Sequence, residues 1–457
     1  MTAAGARRRS PRPAPGPARA AALEVLTAVR ERDAYVNLAL PSALARPDLS
    51  SRDAALATEL TAGTVRMQGL YDAVLAATVT RPLAALDPVV HDVLRLGCHQ
   101  LLSMRTPAHA AVSTSVDLVK AMVGRRPAGF VNAVLRKVAA CDRESWVRAV
   151  APDPSADPIG HLAVANSHPR WVVEELHRSL DADLQATARL LLADNDPARV
   201  TLVARPGRST VEELLVEGAV GGIWSPYAVR LAGGDPADVP AVREGRAGVQ
   251  DEGSQLVALL TAHAPQGGRD ERWLDMCAGP GGKAALLAAL AAERGAGLVA
   301  NEPQLHRARL VASALTGLPA RVVAGDGRRP PWAPAEFDRV LVDAPCTGLG
   351  ALRRRPEARW RRRREELAGL TALQRELLQA ALDSVRPGGT VVYATCSPVV
   401  AETSAVVRAA LDSRDDLELL DAPAVLPNVP GQVGPFLQLW PHVHGTDAMF
   451  AALLRRT

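Results

Sequence analysis

Lysine is nearly absent from this 457-residue chain: it occurs at 120, 137 and 283, while arginine supplies 50 of the 53 basic residues. A lysine at 283 therefore stands against the chain's own habit. Aromatic residues make up only 3%, which excludes the extended base-stacking platforms of single-strand binders. The five cysteines lie at 98, 141, 277, 346 and 396; their odd number, wide spacing and lack of any C-x-x-C or paired-His pattern exclude a disulfide framework and a zinc site, and imply a reducing cytoplasm. No uncharged run approaches the ~18 residues needed to cross a bilayer, so no membrane span is expected. The N-terminus, "MTAAGARRRSPRPAPGPARA", lacks the apolar segment of a secretory signal, and no cleavable or amphipathic stretch follows it closely as a transit peptide would require. Residues 1–17 read as a disordered basic tail. A net charge of +4 permits a nucleic-acid partner without demanding one.

What is present divides the chain by texture. From 18 to 148 apolar residues recur at helical spacing in "AALEVLTAV", "DAALATELTAGTVRMQGLYDAVLAATV", "VVHDVLRLGCHQLLSM", "AAVSTSVDLVKAMV" and "FVNAVLRKVAA", which predicts an all-α domain. "APDPSADPIG" (151–160) is a Pro/Asp-rich connector. Residues 160–245 mix two helical stretches with short strands among turns and read as a small α+β module. From 246 to 457 short apolar runs alternate with helical stretches, the signature of βαβ crossovers and a buried parallel sheet, giving an α/β Rossmann-like domain. Ligands of such sheets bind outside the carboxyl ends of the strands.

Polar clusters occupy those ends. "LDMCAGPGGKAA" (274–285) is a strand, a Gly-rich turn and a helix start, where glycines allow close backbone approach and free N–H groups attract a polar or negative ligand. Lys283 is followed by Ala, and Cys277 stands where a P-loop needs Gly, so a nucleoside triphosphatase is excluded. Gly279-x-Gly281-x-x-Ala284 fits a loose dinucleotide fingerprint, with Glu302 roughly 20 residues on, and cannot by itself separate NAD from S-adenosylmethionine. Glu302, Asp326 and Asp343 follow three successive strands. Any one of them could be a helix cap; three in succession point to a ribose-and-adenine pocket.

Two further strand ends carry thiols, in "FDRVLVDAPCTG" (Cys346) and "VVYATCSP" (Cys396). Buried inert cysteine is the usual role and suits Cys98 inside its helix. The polar, turn-forming surroundings of Cys346 and Cys396 suit a cleft instead. Neighbouring strands would bring both to one pocket. Methylating carbon 5 of a pyrimidine needs such a thiol, because adding a thiolate to carbon 6 turns the ring into a nucleophile. It also needs an acid near ring nitrogen 3 and a base for the carbon-5 proton; Cys396, Cys346, Asp343 and Lys283 are the groups on offer.

"DMCAGPGGK", "DAPCTGLG" and "YATCSP" resemble the three signature motifs of the RNA cytosine-5 methyltransferases, the Sun/NOL1/NOP2 family, and "FVNAVLRK" and "RDAALATELTAGTVR" are similar to the NusB-like RNA-binding domain that precedes the catalytic domain in the bacterial 16S ribosomal RNA member. The resemblance covers nearly the whole chain. It implies Cys396 as nucleophile and Cys346 in product release; the chemistry then leaves Asp343 as acid at nitrogen 3 and Lys283 to orient the base. Contacts to S-adenosylmethionine fall on Cys277, Ala278, Gly279, Pro280, Gly281, Gly282, Lys283, Glu302, Asp326 and Asp343. Two departures are Glu302, where aspartate is usual, and Ala284, where Thr commonly follows the lysine. The implied partner is 16S ribosomal RNA, acted on in the cytoplasm by a monomer without a metal.

"LRRRPEARWRRRREE" places eight arginines between 353 and 364. A charge run is ordinarily a solvated face, paired here by Glu357, Glu365 and Glu366. Its place after the Cys346 turn instead assigns Arg353, Arg354 and Arg355 to RNA phosphates, which arginine forks suit. "FLQLWPHVHGTDAMFAALLRR" reads as two strands forming the antiparallel edge of the sheet, with His442 and His444 in a surface turn. Two competing readings remain open: a nucleotide-dependent oxidoreductase, which leaves both strand-end thiols without work, and a non-catalytic NusB-like antitermination factor.

Overall fold

The computed structural model describes residues 16–432 and 434–457; the tail expected over 1–17 falls almost wholly outside them. The chain forms two compact units, one comprising the chain to Val173 together with Arg355–Trp360, the other Glu174–Arg354 and Arg361–Thr457.

The first unit is helical, with long helices at Pro17–Arg32, Ser51–Arg66, Gln68–Thr78, Pro88–Leu102, Ala108–Met122 and Ala128–Val138. Local chemistry sets their starts. The Ser50 hydroxyl accepts from the Asp53 amide, and the Asp87 carboxylate from those of Val89 and Val90 with Pro88 in the first turn, satisfying N–H groups that have no helical partner. Each helix turns an apolar stripe inward, so Leu23, Leu60, Leu70, Tyr71, Leu94, Cys98 and Leu135 form one core. The thiol of Cys98 is fully buried, and burial pushes its pKa far up, as befits a packing residue.

Arg355–Trp360 belongs to this helical unit although the sequence around it does not. The Trp360 indole donates to the Val65 carbonyl at 3.0 Å, and Arg359, fully buried, donates to the Ser167 carbonyl at 3.2 Å. A Cβ on Gly69 would lie 2.4 Å from the Trp360 ring, so only glycine leaves the indole its place.

The second unit holds two sheets. Strands β1 (Thr201–Val203), β2 (Val220–Gly221), β3 (Ala228–Arg230) and β4 (Gly248–Val249) pair antiparallel in the order β2-β3-β1-β4 over a small core of Leu202, Leu214, Val229 and Leu231. The larger sheet contains β5 (Arg272–Asp275), β6 (Gly297–Asn301), β7 (Ala320–Val323), β8 (Phe337–Asp343), β9 (Val385–Thr395), β10 (Leu417–Leu420), β11 (Leu437–Gln438) and β12 (Phe450–Arg456). Its order is β10-β12-β9-β8-β5-β6-β7, with β11 beside β12; β5 to β9 run parallel.

Alternation along β8 and β9 explains why the sheet is covered on both faces. Leu341, Val392 and Ala394 pack with the helices Glu252–His263 and Gly282–Ala292, while Val340, Val342, Val391 and Tyr393 pack with Glu366–Ser384 and Ser404–Asp412. Each fully buried side chain of this size contributes about 1.5–3 kcal/mol. The C-terminal strand differs from its expected place: β12 is interior, between β9 and β10, and β10 is the edge. Its apolar residues face both ways, Ala451 and Leu453 into one core and Ala452 and Leu454 into the other, whereas the edge strand β10 has no buried residue.

From β5 the order runs outward through β6 and β7, then resumes on the other side with β8 and β9. The reversal leaves a crevice at the carboxyl ends of β5 and β8, where open α/β sheets bind ligands.

Candidate active site at the strand ends

Each residue at this crevice is placed by the end of a strand. β5 delivers Asp275, followed by the turn Cys277–Gly281 and the helix from Gly282. Gly281 adopts φ +114°, and a Cβ there would lie 2.7 Å from that of Ala314, so this turn requires glycine. Lys283 stands in the first helical turn and donates to Asp343, the last residue of β8, at 3.0 Å. Burial works to lower the pKa of Lys283, but the Asp343 carboxylate more than offsets it, so the ammonium keeps its proton more tightly than an ordinary lysine. The solitary lysine of the catalytic half is thus one side of an ion pair. Asp275 lies deeper: burial, reinforced by the negative charge of Asp343, pushes its carboxyl up to about 7.

β8 and β9 are paired in register, Asp343 opposite Ala394, so residues three and two positions further on emerge side by side. The Cys346 and Cys396 sulfurs are 3.5 Å apart, and both are partly exposed. A hydrogen bond to the Cys396 sulfur, burial and the nearby charges of Glu402 and Asp343 push the Cys346 thiol well above the usual range. Either sulfur can be the donor of this pair. On the other side, the Lys283 and Arg354 cations lie in the neighbourhood of Cys396.

The Gly-rich turn forms a cradle against β6. Glu302, only 2% exposed, accepts from the Gln304 amide at 3.0 Å and lies 3.5 Å from Arg307, which also donates to the Gly279 carbonyl at 2.7 Å. A Cβ on Gly279 would fall 2.0 Å from the Glu302 carboxylate, so the missing side chain is what leaves room there. Two buried acceptors beside it, Asp275 Oδ2 and Asn301 Oδ1, have no hydrogen-bond partner among the described residues. Carboxylate, unfilled acceptors and bare backbone together fit the ribose hydroxyls and polar edge of a nucleoside. Ala278, Pro280 and Gly282 complete the turn; burial pushes the Cys277 thiol well up, which leaves that residue its backbone to offer.

Not every expected residue joins this cluster. Asp326 lies three residues beyond β7, 43% exposed, with its carboxylate held by Arg328 at 2.7 Å. Arg353 donates to the carbonyls of Asp196 and Gly445, Arg354 pairs with the buried Asp447, and Arg355 lies over the Tyr35 ring. His444 is buried rather than on the surface: its Nδ1 accepts from the Trp440 amide at 2.9 Å, so Nε2 carries the proton and donates to the Pro430 carbonyl at 2.9 Å. Among the described residues no group of three His, Cys, Asp or Glu side chains could hold a metal ion, and no helix is long and apolar enough to cross a membrane.

Three residues behind the thiols escaped sequence reasoning. Glu402 accepts from Thr347 and Ser397, the residues following the two cysteines; Gln374 donates to the Pro345 carbonyl at 2.9 Å; and Arg362 donates to the Thr347 carbonyl at 3.0 Å. Lone polar residues in helical or charged stretches carry no signal of such a role.

Comparison with known proteins agrees with this geometry. Residues 261–455 match the family model described as 16S rRNA methyltransferase RsmB/F, and residues 16–140 match the NusB family. The putative methyltransferase Rv1407 of Mycobacterium tuberculosis is 53% identical over 98% of this chain and 99% of its own length. Ribosomal RNA small subunit methyltransferase B of Vibrio cholerae is 34% identical over 96% of this chain and 97% of its own. The crystal structure of PH0851 shares the fold, with a TM-score of 0.80 at 24% identity over 98% of this chain and 100% of that one. With a NusB region, a Rossmann-like sheet and a relative of this identity along almost its full length, the chain belongs to the RsmB/F family of 16S rRNA methyltransferases.

Proposed function

We propose that this protein methylates carbon 5 of a cytosine in 16S ribosomal RNA, in the cytoplasm, through a covalent cysteine adduct. S-adenosylmethionine is the methyl donor and supplies the methyl group as an electrophile. Gly279, Gly281, Gly282 and Glu302 would hold its nucleoside. The observation that carries the reading is the pair of sulfurs 3.5 Å apart at adjacent strand ends, beside the ion pair of Lys283 and Asp343.

A pyrimidine ring extruded into this crevice would meet Cys396 at carbon 6. Forming the sulfur–carbon bond pushes an electron pair toward nitrogen 3, which takes a proton through Asp343 from the Lys283 ammonium bonded to it, and leaves carbon 5 able to attack the methyl group. Lys283 also orients the base. Loss of the carbon-5 proton to a base then re-forms the ring double bond, and the sulfur departs with its bonding electrons; Cys346 serves this second half. Arg353, Arg354 and Arg355 would meet RNA phosphates through the guanidinium edges that their internal partners leave free, and the helical unit would grip RNA or order the catalytic unit.

Bisulfite sequencing of 16S rRNA from cells lacking the protein should show one cytosine that has lost its protection, and an unchanged methylation pattern would refute the reading. In vitro, Cys346→Ala should accumulate a protein–RNA adduct stable to denaturing electrophoresis, while Cys396→Ala should form none. Calorimetric titration with NAD and with S-adenosylmethionine separates this reading from an oxidoreductase.

A further inference from the structure

Glu402 follows β9 in the short turn Val400–Glu402 and is completely buried. Its Oε1 accepts from the Thr347 amide at 2.8 Å and the Gln374 side chain at 3.1 Å; its Oε2 accepts from the hydroxyls of Thr347 and Ser397, both at 2.6 Å. All four donors are neutral, and no lysine or arginine pairs with this carboxylate among the described residues. A buried carboxylate held this way is costly unless its lone pairs are used, and here three of the four bonds come from the two reacting turns. Thr347 follows Cys346 and Ser397 follows Cys396, with their hydroxyls 3.0 Å apart. One carboxylate therefore spans both.

We propose that Glu402 is a positioning residue that locks the Cys346 and Cys396 turns in one register and so holds the two sulfurs against each other. The inference rests on the two-cysteine reading above. Two further residues reinforce the clamp: Gln374 also holds the Pro345 carbonyl at 2.9 Å, and Arg362 holds those of Thr347 at 3.0 Å and Cys346 at 3.4 Å. The charges around the pair are unequal. Cys346 faces the anions Glu402 and Asp343 and lies beside Tyr393, with the Arg362 guanidinium on its carbonyl; Cys396 faces the cations Lys283 and Arg354. Glu402 is thus one of the anions that raise the Cys346 thiol.

The test compares the full-length protein with Glu402→Gln, which keeps the volume and removes the charge, and with Glu402→Asp. Tritiated S-adenosylmethionine and a 16S rRNA fragment report kcat and KM, calorimetry reports donor affinity, and iodoacetamide labelling read by mass spectrometry gives the pH profile of each thiol. Glu402→Gln should lower kcat by roughly tenfold to hundredfold, the scale of losing a charge-assisted bond, with KM and donor affinity within about twofold. Labelling of Cys346 should move to lower pH. Glu402→Asp, with its charge retained, should recover the Cys346 profile toward wild type. A Glu402→Gln protein with wild-type kcat and an unmoved Cys346 profile overturns the proposal. Should that variant fail to fold by circular dichroism, Ser397→Ala removes one of the four bonds and should shift kcat the same way by a smaller factor; no change in kcat there overturns it equally. Continued methyl transfer by Cys396→Ala would instead refute the two-cysteine reading, while thiol labelling would still report on Glu402.

Discussion

The carboxyl of Asp275 offers a quantitative test of the electrostatics at the crevice. It is 1% exposed and pushed up to about 7 by burial and by Asp343, whereas an aspartate in an unfolded chain titrates near ~3.9. Between these values the native protein holds a proton that the unfolded chain releases, so this group's contribution to stability is complete below about pH 4 and is lost as pH rises through about 7. A difference of about three pKa units, at about 1.36 kcal/mol each, amounts to roughly 4 kcal/mol. Asp275→Asn cannot ionise and keeps an oxygen for the Cys277 amide, which Asp275 now accepts at 3.3 Å. Urea unfolding from pH 4.5 to pH 8 should find the variant's advantage growing from about 1 kcal/mol or less to roughly 4 kcal/mol. Titrations shared by both proteins cancel in the difference. Parallel stability curves, or a variant less stable at pH 8, would refute the reasoning.

Gly279→Ala forces the Glu302 carboxylate out of the position it now holds 2.0 Å from the new Cβ; affinity for S-adenosylmethionine should fall roughly tenfold to hundredfold by calorimetry, as for a lost hydrogen bond to a charged group. Gly350→Ala meets backbone instead, with its Cβ 2.0 Å from the Ala448 carbonyl oxygen and 2.9 Å from that of Cys396. It should cost about 1–3 kcal/mol or more in chemical denaturation and slow methyl transfer, because neither carbonyl can rotate away. Peroxide should join Cys346 to Cys396, whose sulfurs already stand 3.5 Å apart: each thiol loses a hydrogen, the peroxide is reduced to water, and mass spectrometry of the unreduced protein should find the linked peptides, with activity restored by dithiothreitol.

Much of the scaffold was legible because its signals are local. Glycine-rich and proline-containing turns ended apolar runs at Asp275, Asp343 and Thr395, and a parallel sheet converts strand ends into a shared crevice; that rule brought Cys346 and Cys396 to one place on paper before their sulfurs were located. Pairings between distant segments were harder. The four residues "LELL" at β10, three of them apolar, gave too short a pattern to displace β12 from the edge. Glu402 and Gln374 were illegible for another reason: a buried polar residue looks like a surface one until its partners are known. The arginine run is only partly a solvated face, since Arg359 is fully buried and Arg354 is engaged by Asp447.

The six residues Arg355–Trp360 have a consequence for how the chain is made. The helical unit takes its Trp360 indole and Arg359 guanidinium from a segment 187 positions beyond Val173. At the pace of translation, about 5–20 residues per second, that segment follows roughly ten to forty seconds later. The N-terminal helices must therefore emerge from the ribosome with the place of the indole still empty, and completing them is tied to synthesis of the half that carries the thiols.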